Sequence, residues 1–323
     1  MTDAAASLDR LRLAAGQVYR TFQPTPQYRW PLLGQRVGAE VWVKHENHTP
    51  IGAFKLRGGL VYMDGLKQRE PKVSGVIAAT RGNHGQSVAF AATKAGLAAT
   101  IVVPHGNSME KNAAMTSLGA ELIEQGHDFQ AAYEFALGEA ERRGLHAMPS
   151  FHRDLVSGVA SYSLELFEAV PDLDTLYVPI GLGSGICGAI WARDALGLKT
   201  KIVGVVAKAA PTYALSFNAG KPVATDTADT MADGVACRIP DHNALKIILA
   251  GAERIVTVCD NSIMAAIRHY ASDTHNMAEG AGAAALAGLI EEASAMRGKR
   301  VAVVLSGGNI DRELYLKALN AGV

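Results

Sequence analysis

The chain has 323 residues, of which 49% are hydrophobic, and its 31 lysines and arginines balance its 31 aspartates and glutamates. This composition indicates a folded globular protein of about two domains and excludes an intrinsically disordered chain. Zero formal charge argues against a nucleic-acid or membrane-surface partner.

Cysteine usage and hydropathy favour a cytoplasmic protein. Cys187, Cys237 and Cys259 are scattered without a C-x-x-C pair, which argues against a disulfide framework or a thiolate zinc site. No apolar run approaches the roughly 18 residues that a bilayer crossing needs, and the first ten residues, MTDAAASLDR, lack the pattern of a signal peptide.

Short apolar runs alternate with segments of helical period along most of the chain, which predicts an α/β fold with parallel-rich sheets covered by helices. The predicted strands are 40–44, 75–80, 99–104, 120–124, 145–148, 175–180, 201–206, 254–258 and 300–306. The four strands between residues 75 and 148 are evenly spaced. We therefore expect a small lobe of residues 60–150, a large lobe of residues 1–59 and 151–323, and a ligand cleft between them. The stretch 211–239 is the least regular.

The first segment that indicates chemistry is TPIGAFKLRGG, residues 49–59, where Lys55 stands at the predicted start of a helix. A lone lysine is usually a solvated cation. Here the apolar neighbours Ala53, Phe54 and Leu56 could desolvate the amine, lower its pKa and make it a Schiff-base nucleophile.

The second segment, ATRGNHGQS at 79–87, follows a predicted strand and opens a predicted helix. Backbone N–H groups at such a junction converge on an anion. The alternative is an ordinary strand-to-helix turn in which Asn83 caps the helix.

The third segment, VPIGLGSGICGAI at 178–190, is again a strand, a glycine loop and a helix. Gly181, Gly183 and Gly185 let the backbone approach a ligand, and Ser184 adds a hydroxyl, so the loop could cradle a phosphate. It lacks the P-loop pattern, and no acidic residue closes the next strand, which disfavours a nicotinamide enzyme.

The fourth segment, VVLSGGNID at 303–311, places Ser306 at the end of a strand before a double-glycine turn. Alone it could be a plain turn. Together the four segments indicate a phosphate, an aldehyde-reactive lysine and polar groups around a flat ring.

This combination resembles the fold type II pyridoxal-phosphate enzymes, the tryptophan synthase β-like fold, and within them the threonine/serine dehydratase and serine racemase group. The resemblance covers nearly the whole chain in the family's order. GAFKLRG, RGNHGQ, GLGSG and LSGGN carry it, with MADGVA at 231–236 and EGAGAAAL at 279–286 as further matches.

The resemblance implies a role for each matched position. Lys55 is the Schiff-base lysine and the proton carrier at the substrate α carbon, Asn83 bonds the ring hydroxyl, and Ser306 faces the pyridine nitrogen. The implied phosphate cup consists of Gly181, Leu182, Gly183, Ser184 and Gly185. Phe54, Gly234 and Glu279 would also line the cofactor site. The implied substrate-binding residues are Thr80, Arg81, Gly82, Asn83 and His84.

The implied reaction is the dehydration of a β-hydroxy amino acid to a 2-oxo acid and ammonia. The substrate displaces Lys55, the freed amine takes the α proton while the cofactor ring delocalises the negative charge, and the β hydroxyl then leaves. Threonine, serine, phenylserine and 3-hydroxyaspartate are the candidate substrates. The alternatives are a serine racemase or β-replacement enzyme on the same scaffold, a non-catalytic amino-acid sensor, and a nicotinamide oxidoreductase.

Arg81 departs from the family pattern, because serine racemases carry at this position a serine that acts as acid or base. A guanidinium does not deprotonate at working pH, so we expect no racemase as the main activity. Arg81 could select a β substituent, holding a carboxylate by a bidentate pair or an aromatic ring by stacking. The alternative is a surface arginine or one paired with a nearby acid.

Other departures are smaller. Ala53 replaces a serine that the family often carries. No acidic residue follows the strand at 201–206 where some relatives bind a divalent cation, so we expect no metal there, while a monovalent cation stays open. We expect His84 to shape its loop or to lie in the phosphate shell rather than to act as a catalytic base. We expect His45, His48 and His152 to be surface residues.

The absence of a long extension after LSGGN suggests no regulatory domain and hence a catabolic role. The resemblance also implies a homodimer.

Overall fold

The computed structural model describes residues 7–321; the first six residues, on which part of the signal-peptide expectation rests, and the last two lie outside this range. The strands of the described range are β1 (Gln27–Arg29), β2 (Glu40–His45), β3 (Gly75–Ala79), β4 (Ala98–Val103), β5 (Glu121–Glu124), β6 (His146–Ala147), β7 (Thr175–Pro179), β8 (Lys201–Ala207), β9 (Arg254–Val258) and β10 (Arg300–Leu305). Its α-helices are α1 (Leu8–Tyr19), α2 (Pro31–Val37), α3 (Lys55–Arg69), α4 (Asn83–Lys94), α5 (Met109–Ser117), α6 (Phe129–Arg143), α7 (Arg153–Ala169), α8 (Ser184–Ala195), α9 (Thr212–Ala219), α10 (His242–Gly251), α11 (Asp260–Thr274), α12 (Gly280–Glu291), α13 (Ala293–Met296) and α14 (Arg312–Asn320).

The larger sheet has six strands in the order β1-β2-β10-β7-β8-β9. Only β1 runs antiparallel, and the register of β10 pairs Val303 with Val43 on one side and Tyr177 on the other. Its central strands are buried on both faces, as expected for parallel strands between helix layers. Helices α7, α8 and α10 cover one face, and α11 and α12 cover the other.

The smaller sheet has four parallel strands in the order β5-β4-β3-β6. Alternate residues of β3 point to opposite faces, which is why each face has its own core. Val76 and Ala78 pack with α3 and α4, whereas Ile77 and Ala79 pack with α6. Both sheets therefore have helices on two sides.

The predicted α/β class and all nine predicted strands are confirmed, with bounds that differ by at most one residue at each end. The prediction missed β1, because three residues with the sequence Gln-Tyr-Arg give no apolar alternation. The stretch 211–239 holds one helix, α9, and one 3-10 turn, Asp233–Val235, and is otherwise irregular.

The predicted lobe boundary between residues 59 and 60 falls inside α3, which packs against both α4 and α7. The strands of the small sheet lie within residues 60–150 and those of the large sheet lie outside it. The division into two lobes stays a prediction. Among residues 7–321 there is no helix with the length and apolar character of a membrane span.

Candidate active site

Lys55 opens α3 directly after a tight turn. Gly52 in that turn has a φ of 69°, a conformation that a side chain disfavours. Thr49 closes the turn, since its Oγ1 donates to the Ala53 carbonyl at 2.8 Å and accepts from the Ala53 N–H at 2.9 Å. The predicted helix start is thus confirmed.

The Lys55 ammonium lies 5.0 Å from the centre of the Phe54 ring. Burial lowers the pKa of Lys55 to about 8, although the nearby Glu279 carboxyl acts in the opposite direction. A lysine amine with such a pKa is neutral in about a tenth of the molecules at pH 7, far more than an ordinary lysine, and a neutral amine can attack an aldehyde.

Ser306 follows β10 and lies beside the lysine turn. The Phe54 N–H donates to the Ser306 carbonyl at 3.0 Å, and Ala53 bridges to Gly307 in an antiparallel pair. The Ser306 residue itself is 4% exposed. Two segments that are 250 residues apart in the sequence are therefore joined by backbone hydrogen bonds next to Lys55.

The glycine loop after β7 forms a cradle at the N-terminus of α8. Gly183 caps this helix with a φ of 101°, and a Cβ there would lie 2.8 Å from the Cβ of Ala244. A Cβ on Gly181 would overlap the carbonyl oxygen of Gly234, which brings the 3-10 turn Asp233–Val235 against the loop.

Two tyrosine hydroxyls hold this loop from behind. Tyr213 donates to the Leu182 carbonyl and Tyr162 donates to the Gly185 carbonyl, each at 3.0 Å. These two carbonyl groups are therefore occupied by the tyrosine hydroxyls. The N–H groups at the helix N-terminus favour an anion such as phosphate.

The loop after β3 leads into α4, whose N-terminal cap is Gly82. The alternative that Asn83 caps the helix is wrong, because Asn83 is the first helical residue and its Nδ2 donates to Glu279 Oε1 at 2.6 Å. Thr80 stabilises the loop by accepting from the Gly82 N–H at 3.2 Å. The side chain of Asn83 is therefore in direct contact with the Glu279 carboxyl group.

Glu279 lies just before α12 and is 9% exposed. Burial raises the pKa of Glu279 to about 7, although Lys111 and the bond from Asn83 act to lower it. Glu279 is thus a carboxyl group that titrates near neutral pH at the edge of the site.

His84 is the residue after Asn83. Its Nε2 is buried and has no hydrogen-bond partner among residues 7–321. Burial, with the nearby Lys55 charge, lowers the pKa of His84 to about 3, so the ring is neutral at pH 7. A buried ring nitrogen without a partner is unusual and indicates that a ligand completes the site.

Arg81 is exposed and lies in the loop between β3 and α4. Arg81 is not among the arginines that form ion pairs within residues 7–321. The expected alternative of an acidic partner for Arg81 is therefore not seen in this range. The exposure of Arg81 fits the alternative of a surface arginine, and its role in selecting a substrate stays a prediction.

Lys111 is a site residue that the sequence patterns missed. Its side chain lies close to Gly82, and its Nζ is 2.9 Å from Asp233 Oδ2. Burial acts to lower the pKa of Lys111, but Asp233 outweighs it and the pKa is raised. The ammonium therefore stays charged beside the loop that carries Arg81.

Asn309 is a second residue that the patterns missed, although it belongs to the LSGGN segment. Its Nδ2 donates to Asn83 Oδ1 and to the Ile51 carbonyl, each at 2.8 Å. No local pattern indicates these contacts, because both partners come from other parts of the chain.

The expectation that His45 is a surface residue is wrong. His45 ends β2 fully buried and accepts a hydrogen bond from Trp30 at 3.0 Å. Burial lowers the pKa of His45 to about 4. By contrast, His48 is exposed and His152 is partly exposed, as predicted.

The arrangement suits pyridoxal phosphate on three grounds. The glycine loop, in which a Cβ on Gly181 or Gly183 would collide with neighbouring residues, can bring backbone N–H groups close to a phosphate. The desolvated Lys55 amine suits an aldehyde, and His84 holds a buried nitrogen that lacks a partner among residues 7–321. These features belong to different elements that lie near one another, since a Cβ on Gly185 would lie 3.8 Å from the Phe54 ring and the Lys55 charge acts on His84.

Comparison with known proteins agrees with this chemistry. Residues 18–307 match the sequence profile of the family described as Pyridoxal-phosphate dependent enzyme. The chain is 33% identical to the L-threonine ammonia-lyase of Thermotoga maritima, covering 90% of this chain and 73% of that one. It is 31% identical to the L-threo-3-hydroxyaspartate ammonia-lyase of Saccharomyces cerevisiae, covering 94% of this chain and 93% of that one.

Other relatives are longer. The chain is 32% identical to the biosynthetic L-threonine dehydratase of Escherichia coli over 91% of its own length, but it spans only 58% of that protein.

Solved structures give the same picture. Maize serine racemase superposes with a TM-score of 0.91 at 27% identity, covering 98% of this chain and 97% of the other. The processed threonine deaminase isoform 2 of Solanum lycopersicum superposes with a TM-score of 0.89 at 28% identity, covering 98% and 95%. The fold type II architecture expected from the resemblance is confirmed. The chain belongs to the pyridoxal-phosphate dependent enzyme family, and it is an ammonia-lyase of the threonine/serine dehydratase type that uses pyridoxal phosphate.

Proposed function

We propose that this lyase acts best on a β-hydroxy amino acid whose β substituent is a carboxylate, namely a 3-hydroxyaspartate. The observation that carries the proposal is the exposed Arg81 guanidinium, which has no acidic partner within residues 7–321 and stands in the loop next to Asn83. The relatives of Saccharomyces cerevisiae and Pseudomonas named L-threo-3-hydroxyaspartate ammonia-lyase match over 93% and 92% of their lengths, which supports the same substrate class.

Lys55 is the proposed catalytic residue. Pyridoxal phosphate, when bound, supplies an electron sink that stabilises negative charge on the substrate α carbon. With its pKa lowered to about 8, the Lys55 amine is basic enough to accept the α proton and is not permanently charged. Phe54 would shield the amine from water on one side.

The proposed phosphate cup is the loop 181–185 at the N-terminus of α8. Its glycines bring backbone N–H groups close to a phosphate, and the helix dipole adds favourable charge. Gly234 closes the cup from the other side through its contact with Gly181.

The proposed ring contacts come from three side chains. Asn83 has one amide hydrogen left after its bond to Glu279 and could donate it to the ring hydroxyl oxygen. Ser306 would face the pyridine nitrogen, and Glu279 would border the ring at the mouth of the site.

The substrate α-carboxylate would lie at the loop 80–84. This loop ends at the N-terminus of α4, where free backbone N–H groups favour an anion. Thr80 and Gly82 shape the loop. The buried Nε2 of His84 would be satisfied there by a ligand or a water.

The β-carboxylate would then meet Arg81 across the same loop. A guanidinium binds a carboxylate through two parallel hydrogen bonds. The charged Lys111, whose side chain passes close to Gly82, adds positive potential, although Asp233 partly neutralises it. Threonine would lack this interaction.

Racemisation is disfavoured as the main activity. It needs a second acid or base on the substrate face opposite to Lys55, and an arginine does not exchange its proton at neutral pH. We therefore expect any racemase activity of this lyase to be low.

The test is a substrate panel with two variants. Wild type, Arg81→Ser and Arg81→Lys are assayed for 2-oxo acid release from threonine, serine, phenylserine and the 3-hydroxyaspartate isomers. Loss of a charge-assisted bidentate pair predicts that Arg81→Ser lowers kcat/KM for 3-hydroxyaspartate about 10- to 100-fold and leaves threonine within about 3-fold. Arg81→Lys keeps the positive charge but cannot form two parallel hydrogen bonds to a carboxylate, and should retain only part of the activity on 3-hydroxyaspartate.

Equal relative rates for all substrates before and after substitution would contradict the role of Arg81. A preference for phenylserine that is lost in Arg81→Ser would instead support cation–π stacking on an aromatic substituent.

The two-lobe division, a homodimer, a cytoplasmic location and a catabolic role also stay proposals. Sedimentation of the purified protein tests the dimer, and fractionation of the source cells tests the location. The cysteines at positions 187, 237 and 259 are unpaired, which is compatible with a reducing compartment.

A further inference from the structure

Asn309 joins two loops that come from distant parts of the chain. It lies three residues after Ser306, and both of its amide hydrogens are used. One goes to Asn83 Oδ1 and the other to the Ile51 carbonyl, each over 2.8 Å. Asn309 therefore connects the loop before α4 to the turn before Lys55.

The Asn83 amide is held from both ends. Its Oδ1 accepts from Asn309, and one Nδ2 hydrogen goes to Glu279 Oε1 at 2.6 Å. An asparagine amide carries two donor hydrogens on nitrogen, so a single hydrogen is left over. The orientation with nitrogen toward Glu279 is thus the one that satisfies both neighbours.

The lysine turn is fitted closely to Asn309. A Cβ on Gly52 would lie 2.7 Å from Asn309 Oδ1, so only glycine allows this approach. Gly52 also accepts a hydrogen bond from the Gly308 N–H at 2.9 Å. The segment 307–309 and the turn that carries Lys55 are therefore packed as one unit.

We infer that Asn309 is a positioning residue that fixes which end of the Asn83 amide faces the cofactor ring. The inference deepens the proposed role of Asn83 and rests on it. With Asn309 in place, Asn83 presents a donor to the negatively polarised ring oxygen. Without it, only the bond to Glu279 fixes the amide. An amide that turns over would present its carbonyl oxygen to the ring oxygen and repel it.

The experiment uses the full chain in its cofactor-free and cofactor-loaded forms. Asn309→Ala removes the side chain, whereas Asn309→Asp keeps the shape and replaces the amide donors by a carboxylate, which accepts hydrogen bonds and carries a negative charge when ionised. Each variant is compared with wild type for the cofactor Kd, measured by titrating the cofactor-free protein, and for the pH midpoint of the absorbance change of the loaded protein. We expect the Kd to rise about 10-fold in both variants and the pH midpoint to move.

Asn107→Ala is the matched control. Asn107 makes the same kind of amide bond, since its Nδ2 donates to Asn112 Oδ1 at 2.6 Å, and it is 8% exposed. Its replacement should lower the melting temperature by a similar amount and leave the cofactor Kd and the pH midpoint unchanged. A purely structural role of Asn309 would make the two residues behave alike.

A double-mutant cycle with Asn83→Ala separates the inference from the proposal beneath it. If Asn309 acts through Asn83, the effect of Asn309→Ala on the Kd should fall below about 2-fold in the Asn83→Ala background. A wild-type Kd and pH midpoint in Asn309→Asp, or an undiminished effect in that background, would overturn the inference. A wild-type Kd in Asn83→Ala alone would overturn the proposed role of Asn83 itself. If Asn309→Ala does not fold, the same cycle with Asn309→Asp gives the answer.

Discussion

Glu279 and Lys55 both titrate near neutral pH in the site, and Glu279 is the one whose effect on stability a conservative variant can isolate. Burial raises its pKa to about 7 from an ordinary 4.5. The folded protein thus binds this proton more tightly than the unfolded chain does. The stability that Glu279 contributes is present below pH 4.5 and is lost as the pH rises through about 7.

Glu279→Gln should remove this dependence, because an amide keeps an acceptor for Asn83 and does not ionise. As the pH rises from 4.5 to 7, the free energy of unfolding of wild type should fall by on the order of 3 kcal/mol relative to that of the variant. Denaturant unfolding of both cofactor-free proteins at several pH values measures it. Taking the difference between them cancels His84, whose lowered pKa acts in the opposite direction. A constant difference across pH 4.5 to 7 would contradict the assignment.

The sequence predicted site residues when a local pattern marked them. Lys55 follows a glycine turn at a helix start, and Ser306 follows an apolar strand, so both positions were visible. Asn309 and Lys111 were not, because their contacts depend on side chains from distant segments that meet only in the folded chain. His45 was misplaced for the same reason, since the segments that bury it lie elsewhere in the sequence.

At the scale of elements, the N-terminus of α8 and its glycine loop form the feature that is most sensitive to a single substitution. Gly183 has a φ of 101°, and a Cβ on it would collide with the Cβ of Ala244. A side chain at this position would therefore cause both backbone strain and a steric clash. Gly197 has a φ of 65° with no atom near the position of a Cβ. It therefore isolates the backbone effect alone.

We expect Gly197→Ala to cost about 1 kcal/mol and to leave cofactor binding unchanged. Gly183→Ala should cost more and weaken the cofactor at least about 10-fold, because the loop must shift away from Ala244. Thermal unfolding and titration of the cofactor-free proteins give the two quantities. Equal effects of the two substitutions on cofactor binding would show that the loop does not hold the phosphate.

Elements were predictable where burial on both faces left a continuous apolar run, as in β8 and β10. The short β1 forms because β2 offers it a free edge, a tertiary cause that no window of sequence contains.

At the scale of the whole molecule, a buried ionic cluster joins the central sheet to the helices around the site. Arg57, two residues after Lys55, is fully buried and contacts Glu46 and Glu165, each at 2.6 Å. Lys44 of β2 also contacts Glu165 at 2.6 Å. The two positive and two negative charges compensate one another.

Replacing Glu165 by glutamine should be costly, because it leaves two buried cations with one carboxylate. We expect about 3 to 5 kcal/mol lower stability in denaturant unfolding. Glu253→Gln is the control, since Glu253 forms an exposed pair with Lys201 at 2.7 Å and should cost less than about 1 kcal/mol. Similar losses in the two variants would contradict a buried, compensated cluster.

The central claim is that Lys55 carries the cofactor. The most direct measurement is reduction of the purified, cofactor-loaded protein with borohydride, followed by peptide mass spectrometry, with Lys55→Ala as the control. We predict a reduced pyridoxyl group on Lys55 and no modified peptide in Lys55→Ala. A modified lysine elsewhere, or an unmodified Lys55 in active enzyme, would contradict the account.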